Sequence, residues 1–223
     1  DLINSLTKRQ QRWAKLVKNV DPSIKVEKIY PYQLDISWNP VKINKHGTLE
    51  QRGMDMNYVS VVLGLSALIK FCLRKIQREF IEILPADIGI NEPFKINQGI
   101  MYIPPHTYVR QELQKASAYD GFEDDRLYDY TKKFYAFAKS LAPKFYYPLL
   151  EKIETMIKNR ESVSDEIISF AKGRKLVDKE GCISDENAQL LALHFSQKFE
   201  ADLARTKKIV QQIRSDFKEK NGN

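Results

Sequence analysis

The feature that most constrains the fold is a nearly apolar segment at residues 58–69, followed by an amphipathic pattern that reaches Ile83. This segment of about twelve residues is too short to cross a bilayer, which needs roughly 20. The segment therefore predicts a central helix over residues 57–84 that is buried in the core and ends at Pro85. A chain of 223 residues is long enough to surround such a helix within a single domain, 1–223.

Short alternating segments precede this helix and predict a small antiparallel sheet at about residues 25–55. We expect strands over residues 25–30, 34–39 and 48–54, and polar turns such as residues 44–47 are expected to join them. The middle segment alternates clearly between apolar and polar side chains, as a strand with one buried face does.

Helices are predicted on both sides of the strands. Residues 5–20 carry an apolar stripe, and Ser5 is the candidate N-cap. Residues 94–103 are expected to be either a strand or an extended loop. The remainder, residues 107–220, is expected to be a helical layer with segments at 107–119, 124–141, 144–159, 165–172 and 185–220. The fold class is therefore α+β, a small antiparallel sheet followed by a predominantly helical layer.

Local signals support these helices. Ser162 with Asp165 three residues later is typical of a capping box, and Ser184 precedes two acidic residues at the start of the last helix. The aromatic residues between 128 and 147 fall at helical spacings, so we interpret them as helix packing rather than a surface for stacking bases. The histidines are scattered, and we expect each to be structural or exposed: His46, His106 and His194.

The net charge of +7 and the pI near 9.2 favour anionic partners without choosing among them. The basic residues of the last predicted helix are interpreted as a solvated helix face, so nucleic acid is not the expected partner. Cys72 and Cys182 lie far apart and lack metal-ligand spacing, and Cys72 is expected to be a small buried hydrophobe. With no visible signal peptide or membrane span, we expect a reducing, cytoplasmic location.

Two charged side chains stand out on the predicted strand that leads into the central helix. Side chains alternate along a strand, so Glu50 and Arg52 share one face. One interpretation is an exposed ion pair, worth about 0–1 kcal/mol. The other is a carboxylate that ligates a metal ion beside a guanidinium that binds an anionic substrate.

The surrounding sequence resembles a known family of enzymes. A tryptophan-bearing segment at residues 34–40 precedes the strand, and a later segment at residues 115–122 has a counterpart in the same family. The strand itself is the most specific part, with the sequence Gly47-Thr48-Leu49-Glu50-Gln51-Arg52-Gly53-Met54-Asp55. Together these segments resemble the carboxylate–amine ligases of the bacterial glutamate–cysteine ligase superfamily, over residues 10–215.

This resemblance implies the C-terminal part of a glutamine-synthetase-like catalytic domain. It implies ATP and Mg²⁺ as cofactors, a glutamate-like acid and an amine as substrates, and amide formation through an acyl phosphate. Glu50 would match a magnesium-ligating carboxylate, and Arg52 an arginine that binds a substrate carboxylate or phosphate. Lys42 is the one residue able to supply positive charge where the family has Arg-Pro-Ser and this chain has Asn39-Pro40-Val41.

The chain also departs from the family, because the part that carries further metal ligands does not appear in it. The chain starts at Asp1 in a helical pattern, and we expect a C-terminal portion of a longer ligase that is inactive by itself, with a homodimer as one possible assembly. The alternative hypothesis is a non-catalytic helical scaffold whose basic C-terminal helix binds an acidic partner. The sequence leaves open which of the two applies and whether the chain is an enzyme.

Overall fold

A computed structural model describes residues 2–25, 41–43, 49–51 and 57–221 of the chain. These residues belong to two compact units, Asp1–Met56 and Asn57–Asn223. The protein is mostly helical and contains short strands, which agrees with the predicted α+β class. Within the described ranges, none of the helices combines the length and the apolarity needed to cross a bilayer.

The first unit begins with helix α1, Leu2–Val20. The predicted helix is present, but it starts before residue 5, so the prediction that Ser5 is its N-cap is wrong. The helix ends at Val20, where the sequence predicts. The Asp21 carboxylate accepts hydrogen bonds from the backbone N–H and the hydroxyl of Ser23 at 2.9 and 2.6 Å, which closes a tight turn after the helix.

Two short strands follow in this unit, β1 at Val41–Ile43 and β2 at Leu49–Gln51. They pair antiparallel, with Ile43 opposite Leu49. Strand β2 lies within the strand predicted over residues 48–54, whereas β1 was not predicted. The other two predicted strands and the predicted turn fall on residues 26–40 and 44–48, which lie outside the described part of the chain.

The second unit is built around helix α2, Val59–Glu79, whose buried positions are Ser60, Gly64, Ala67, Leu68, Phe71 and Cys72. The predicted central helix is confirmed, but its predicted end at Pro85 is wrong. Phe80 adopts a left-handed conformation with φ of 51°, and the N–H of Ile81 donates to the carbonyl of Ile76 at 3.0 Å, which ends the helix there. A short apolar run cannot by periodicity alone be assigned to a helix or a strand, and residues 82–85 form a strand.

That strand belongs to a mixed sheet. The sheet was not predicted, but two of its strands lie within residues 94–103, which were expected to be a strand or an extended loop. Strand β3, Glu82–Pro85, precedes the short helix α3, Ile88–Asn91, and the strands β4, Ile96–Asn97, and β5, Ile100–Ile103. Their spatial order is β3-β5-β4, with β3 parallel and β4 antiparallel to β5. Gln98 and Gly99 both have positive φ, 48° and 79°, as a type I′ hairpin turn requires.

The helical layer expected after residue 107 is confirmed. It contains α4, His106–Tyr108; a π-helical turn, Val109–Leu113; α5, Gln114–Tyr119; α6, Asp125–Leu141; α7, Tyr147–Asn159; α8, Val163–Gly173; and α9, Asp185–Asn221. The predicted capping box before α8 is also confirmed. The Asp165 N–H donates to Ser162 Oγ at 3.3 Å, and the Ser162 N–H donates to Asp165 Oδ2 at 2.7 Å.

The core lies where α2 packs against α6, α7 and α9. Aromatic side chains from the predicted run contribute to it: Tyr135 is buried, and Tyr146 meets Phe71 edge-to-face at 5.0 Å between ring centroids. Cys72 is buried as predicted, and burial raises the pKa of its thiol to about 11. These aromatic residues therefore pack the core as predicted, and Cys72 is the small buried hydrophobe that the sequence predicts.

Gly64 allows α2 and α7 to approach closely. A Cβ atom at this position would lie 2.9 Å from Ile153 Cδ1 and 2.9 Å from the Leu149 carbonyl oxygen. The isoleucine side chain can move, but the carbonyl belongs to a helix backbone. The small residue therefore sets the distance between the two central helices.

We predict that Gly64→Ala lowers the free energy of unfolding by about 1–2 kcal/mol, because the overpacking cost exceeds the gain in helix propensity. Gly173→Ala is the matched control, since no heavy atom lies within 4 Å of a Cβ built there. Urea unfolding of both variants provides the comparison. Equal stabilities for the two variants would show that Gly64 does not control the α2–α7 distance.

Candidate functional site

The described structure brings together two of the three residues predicted for a ligand site. In the β1–β2 pair, Lys42 lies directly opposite Glu50 in the register. Arg52 lies outside the described residues, so the predicted pairing of Glu50 with Arg52 stays a prediction. The backbone of this unit therefore pairs one predicted anion-binding position with the predicted metal-binding position.

The described residues contain few side chains placed together as metal ligands. Nowhere within them do three or more His, Cys, Asp or Glu residues cluster as a metal site. One protein carboxylate is nonetheless compatible with Mg²⁺, which keeps several waters and takes substrate phosphate oxygens as ligands. The predicted role of Glu50 as a magnesium ligand therefore stays a prediction, and it requires ligands besides this one carboxylate.

A second group of polar residues lies at the start of α2, and we call Tyr58, Lys152, Glu166 and Lys198 the Glu166 cluster. The Tyr58 hydroxyl donates to Glu166 Oε1 at 3.3 Å, and Lys198 Nζ donates to the same oxygen at 2.5 Å. Lys152 Nζ lies 3.6 Å from Glu166 Oε2 and 4.8 Å from the centre of the Tyr58 ring. The cluster thus joins the start of α2 to α7, α8 and α9.

The pKa values in the cluster follow from these contacts. Burial, reinforced by the charge of Glu166, raises the pKa of Tyr58 to about 12. Burial opposes the charge on Glu166, but the hydrogen bond from Lys198 and the charge of Lys152 outweigh it, so the pKa of Glu166 lies below its ordinary value. At neutral pH Tyr58 is therefore a neutral phenol and Glu166 is a carboxylate.

Asp202 of α9 caps α2 from a distance. Its carboxylate accepts hydrogen bonds from the Ser60 N–H at 2.9 Å and from the Ser60 hydroxyl at 2.5 Å. Tyr58, at the N-cap position itself, makes no side-chain capping bond. A carboxylate at a helix N-terminus satisfies free N–H groups and interacts favourably with the helix dipole. Asp202 therefore replaces the local cap that the sequence lacks.

Neither the Glu166 cluster nor the Asp202–Ser60 pair has the properties of a catalytic centre. Each charge faces an opposite charge or a helix N-terminus, and a tyrosine with a raised pKa is a poor nucleophile at neutral pH. The arrangement is suited to holding α2 in place. Sequence reasoning missed it because Tyr58 and Glu166 are 108 residues apart and Ser60 and Asp202 are 142 apart, so no local motif marks either contact.

The histidines do not add to a site. His46 lies outside the described residues, and His106 is exposed in the first turn of α4. The His194 ring stacks on Phe170 with 3.8 Å between ring centroids, and its Nε2 atom is buried with no hydrogen-bond partner among the described residues. These positions agree with the structural or exposed roles predicted for His106 and His194.

Two of the clefts formed by the described residues lie away from these polar groups. One, of about 230 Å³, has entirely apolar walls that include Cys72, Phe94 and Met101. The other, of about 180 Å³, is lined in part by Arg126 and Lys133. Both cations already have partners, since Arg126 bonds Asp124 and Glu112, and Lys133 pairs with Asp129. The contacts of this second cleft therefore favour no particular class of ligand.

We predict that Asp202→Ala lowers the free energy of unfolding by about 1–2 kcal/mol, because two Ser60 donors lose their acceptor. Ser60→Ala should have a smaller effect. The double variant should be less destabilised than the sum of the single variants, since the two residues act through one contact. Glu219→Ala, an exposed acidic residue of the same helix, is the control. Additive effects in denaturant unfolding would contradict the capping role.

We predict that the stabilising effect of Glu166 depends on pH. Its pKa is lower in the folded state than in the unfolded state, so its contribution is complete above the unfolded value of about 4.3 and is lost as the pH falls through the folded pKa. The difference in free energy of unfolding between the wild type and Glu166→Gln should therefore shrink as the pH falls from above the unfolded pKa to below the folded pKa. Unfolding measured at a series of pH values tests this, and a constant difference would contradict it.

In comparisons with protein-family models, curated proteins and solved structures, the chain matches none of them. The resemblance to carboxylate–amine ligases therefore stays a prediction from the sequence around Glu50.

Proposed function

We propose that the chain is the C-terminal portion of an ATP-dependent carboxylate–amine ligase with a glutamine-synthetase-like catalytic domain. The observation that carries the proposal is the register that pairs Lys42 with Glu50 in an antiparallel ladder. Strand β2 ends at Gln51 and the buried helix α2 begins at Val59, which is the order of elements that the resemblance requires. The register and this order of elements both rest on described residues, so neither depends on residues 52–56.

In this proposal Glu50 contributes a carboxylate to a magnesium site, while Lys42 and Arg52 hold the acidic substrate or the phosphate groups of ATP. Mg²⁺, when bound, supplies positive charge to the phosphate oxygens. The substrate carboxylate displaces ADP from the γ-phosphoryl group to give an acyl phosphate. The amine then displaces phosphate and loses a proton, which leaves an amide. Both steps concentrate negative charge, so the protein's contribution is mainly cationic groups and orientation.

A second candidate function is a non-catalytic helical interaction module. The observation that favours it is the segregation of charge along the exposed face of α9, whose second half is strongly basic. The polar cluster at the start of α2 is compatible with this candidate as well, because it holds helices together without needing a ligand. The two candidates differ in whether the protein turns over ATP.

We predict that Glu50→Gln in the complete protein lowers kcat/KM for Mg·ATP by about 10²–10³-fold, the usual effect of losing one group that stabilises a charged transition state. The substitution keeps the size of the side chain and removes its charge. Measurement of ADP release in the presence of a glutamate-like acid and an amine gives the rate. Lys42→Met should raise KM for the acid, because it removes the positive charge proposed to bind it.

Glu123→Gln, at an exposed position in the second unit, is the matched control and should leave the rate unchanged. A rate that Glu50→Gln leaves unchanged would remove Glu50 from the site. Wild-type protein that neither binds nor hydrolyses Mg·ATP with any acid and amine would overturn the ligase proposal and leave the interaction module.

A further inference from the structure

Helix α9 has one uncovered face along most of its length. The 37-residue helix packs one side against the core through Thr206 and Ile213, which are 1% and 9% exposed. On the opposite side, exposed residues recur three or four positions apart from residue 190 to residue 218. We call this face the outer stripe, and its defining residues are Leu190, Leu193, Glu200, Ala204, Lys208 and Lys218.

The stripe combines exposed leucines with unpaired charges. Leu190 and Leu193 are 57% and 59% exposed, although they lie one turn apart on a well-formed helix. Among the described residues, no ion pair engages Glu200 or Lys208, whereas Lys198 and Arg205 on other faces of α9 are paired with Glu166 and Glu151. The outer stripe therefore retains both apolar area and charge that the rest of the unit does not use.

The charge of α9 also changes sign along the helix. Residues 185–203 include four acidic side chains and one basic side chain, whereas residues 204–221 include six basic and two acidic ones. A partner suited to this surface must present the opposite order, basic beside the first half and acidic beside the second. A second copy of α9 in the antiparallel direction has this order.

We propose that the outer stripe of α9 pairs antiparallel with the same stripe of a second copy of this chain, with the two-fold axis beside Ala204. In this register Glu200 of each copy lies opposite Lys208 of the other, and Leu190 lies opposite Lys218, whose methylene groups can cover it. The small side chain of Ala204 meets its own symmetry mate where the helices approach most closely. The remaining exposed positions pair as Leu193 with Ser215 and Gln197 with Gln211.

A parallel pair would not have this complementarity, because it places Glu200 beside Glu200 and Lys208 beside Lys208. The charges thus select the direction of pairing, while the two leucines supply the apolar area buried at each end. Exposed ion pairs are individually weak and are screened by salt, so the dimer is reversible and weakens as salt is added. The inference does not depend on the proposed ligase activity.

The test is sedimentation of the full chain at increasing concentration and at low and high salt. We expect a monomer–dimer equilibrium, with at least a tenfold weaker dimer for Glu200→Lys or Lys208→Glu alone, because each places like charges across the seam. The double variant Glu200→Lys/Lys208→Glu should recover the wild-type affinity. A mixture of the two single variants should form a heterodimer in preference to either homodimer, since every charge then faces its opposite.

Disulfide trapping tests the register itself. In a Cys182→Ser background, Ala204→Cys should form an intermolecular disulfide quickly, because the two-fold axis passes beside this residue. Ser215→Cys is the matched control and should not, because two copies of residue 215 lie about 30 Å apart in the antiparallel pair at 1.5 Å per residue. All the substituted positions are exposed, and circular dichroism verifies that the variants fold.

A chain that remains monomeric at all concentrations would overturn the proposal. So would a dimer that is indifferent to the charge substitutions, or one that cross-links through residue 215 rather than 204. If the monomer instead binds an acidic polymer such as heparin, and Lys208→Glu weakens that binding, the stripe serves a different acidic partner and self-pairing is wrong.

Discussion

Covering α2 is the constraint on which the rest of the second unit depends. The first half of this helix is apolar around most of its circumference, so a single layer of structure cannot shield it from water. The chain meets this demand by placing α6, α7 and α9 around it, and the close approach permitted by Gly64 brings α7 to one side. The helical layer exists in its observed form because the central helix must be enclosed.

Enclosure creates a second demand at the N-terminus of α2. The first N–H groups of a helix have no partners within it, and a buried helix end cannot rely on water. The Asp202 carboxylate accepts a hydrogen bond from the Ser60 N–H, and the Glu166 cluster holds Tyr58 at the N-cap position. Because Asp202 and Glu166 belong to α9 and α8, the cap of the central helix forms only when the later helices have docked. Secondary and tertiary structure are coupled at this point.

The sequence predicted those parts of the fold that depend on neighbouring residues. The capping box of Ser162 and Asp165 and the limits of α6 follow from local hydrogen bonds and periodicity, and both were found where they were expected. The end of α2 was not, because residues 81–84 have an apolar pattern compatible with a helix, and it is the parallel partner β5 that makes residues 82–85 a strand. The contacts of Asp202 and Glu166 were unpredictable for a related reason, since they join residues more than one hundred positions apart.

At the candidate site, too, the pattern of neighbouring residues gave a prediction, whereas the pairing of two strands could not be predicted. The alternation of side chains identified Glu50 as a position of interest, but the residue opposite it in the ladder depends on a register that the sequence did not predict. In that register the residue opposite Glu50 is Lys42. Lys42 was predicted to bind an anion because the chain lacks the arginine that the ligase family has in this segment. The register thus places Lys42 across the ladder from Glu50, and the ligand-binding roles of both residues stay predictions. In the proposed site, a lysine close to a magnesium ligand would repel the metal unless an anion lay between them. A site built on this pair would therefore bind its metal together with a phosphate or carboxylate rather than alone.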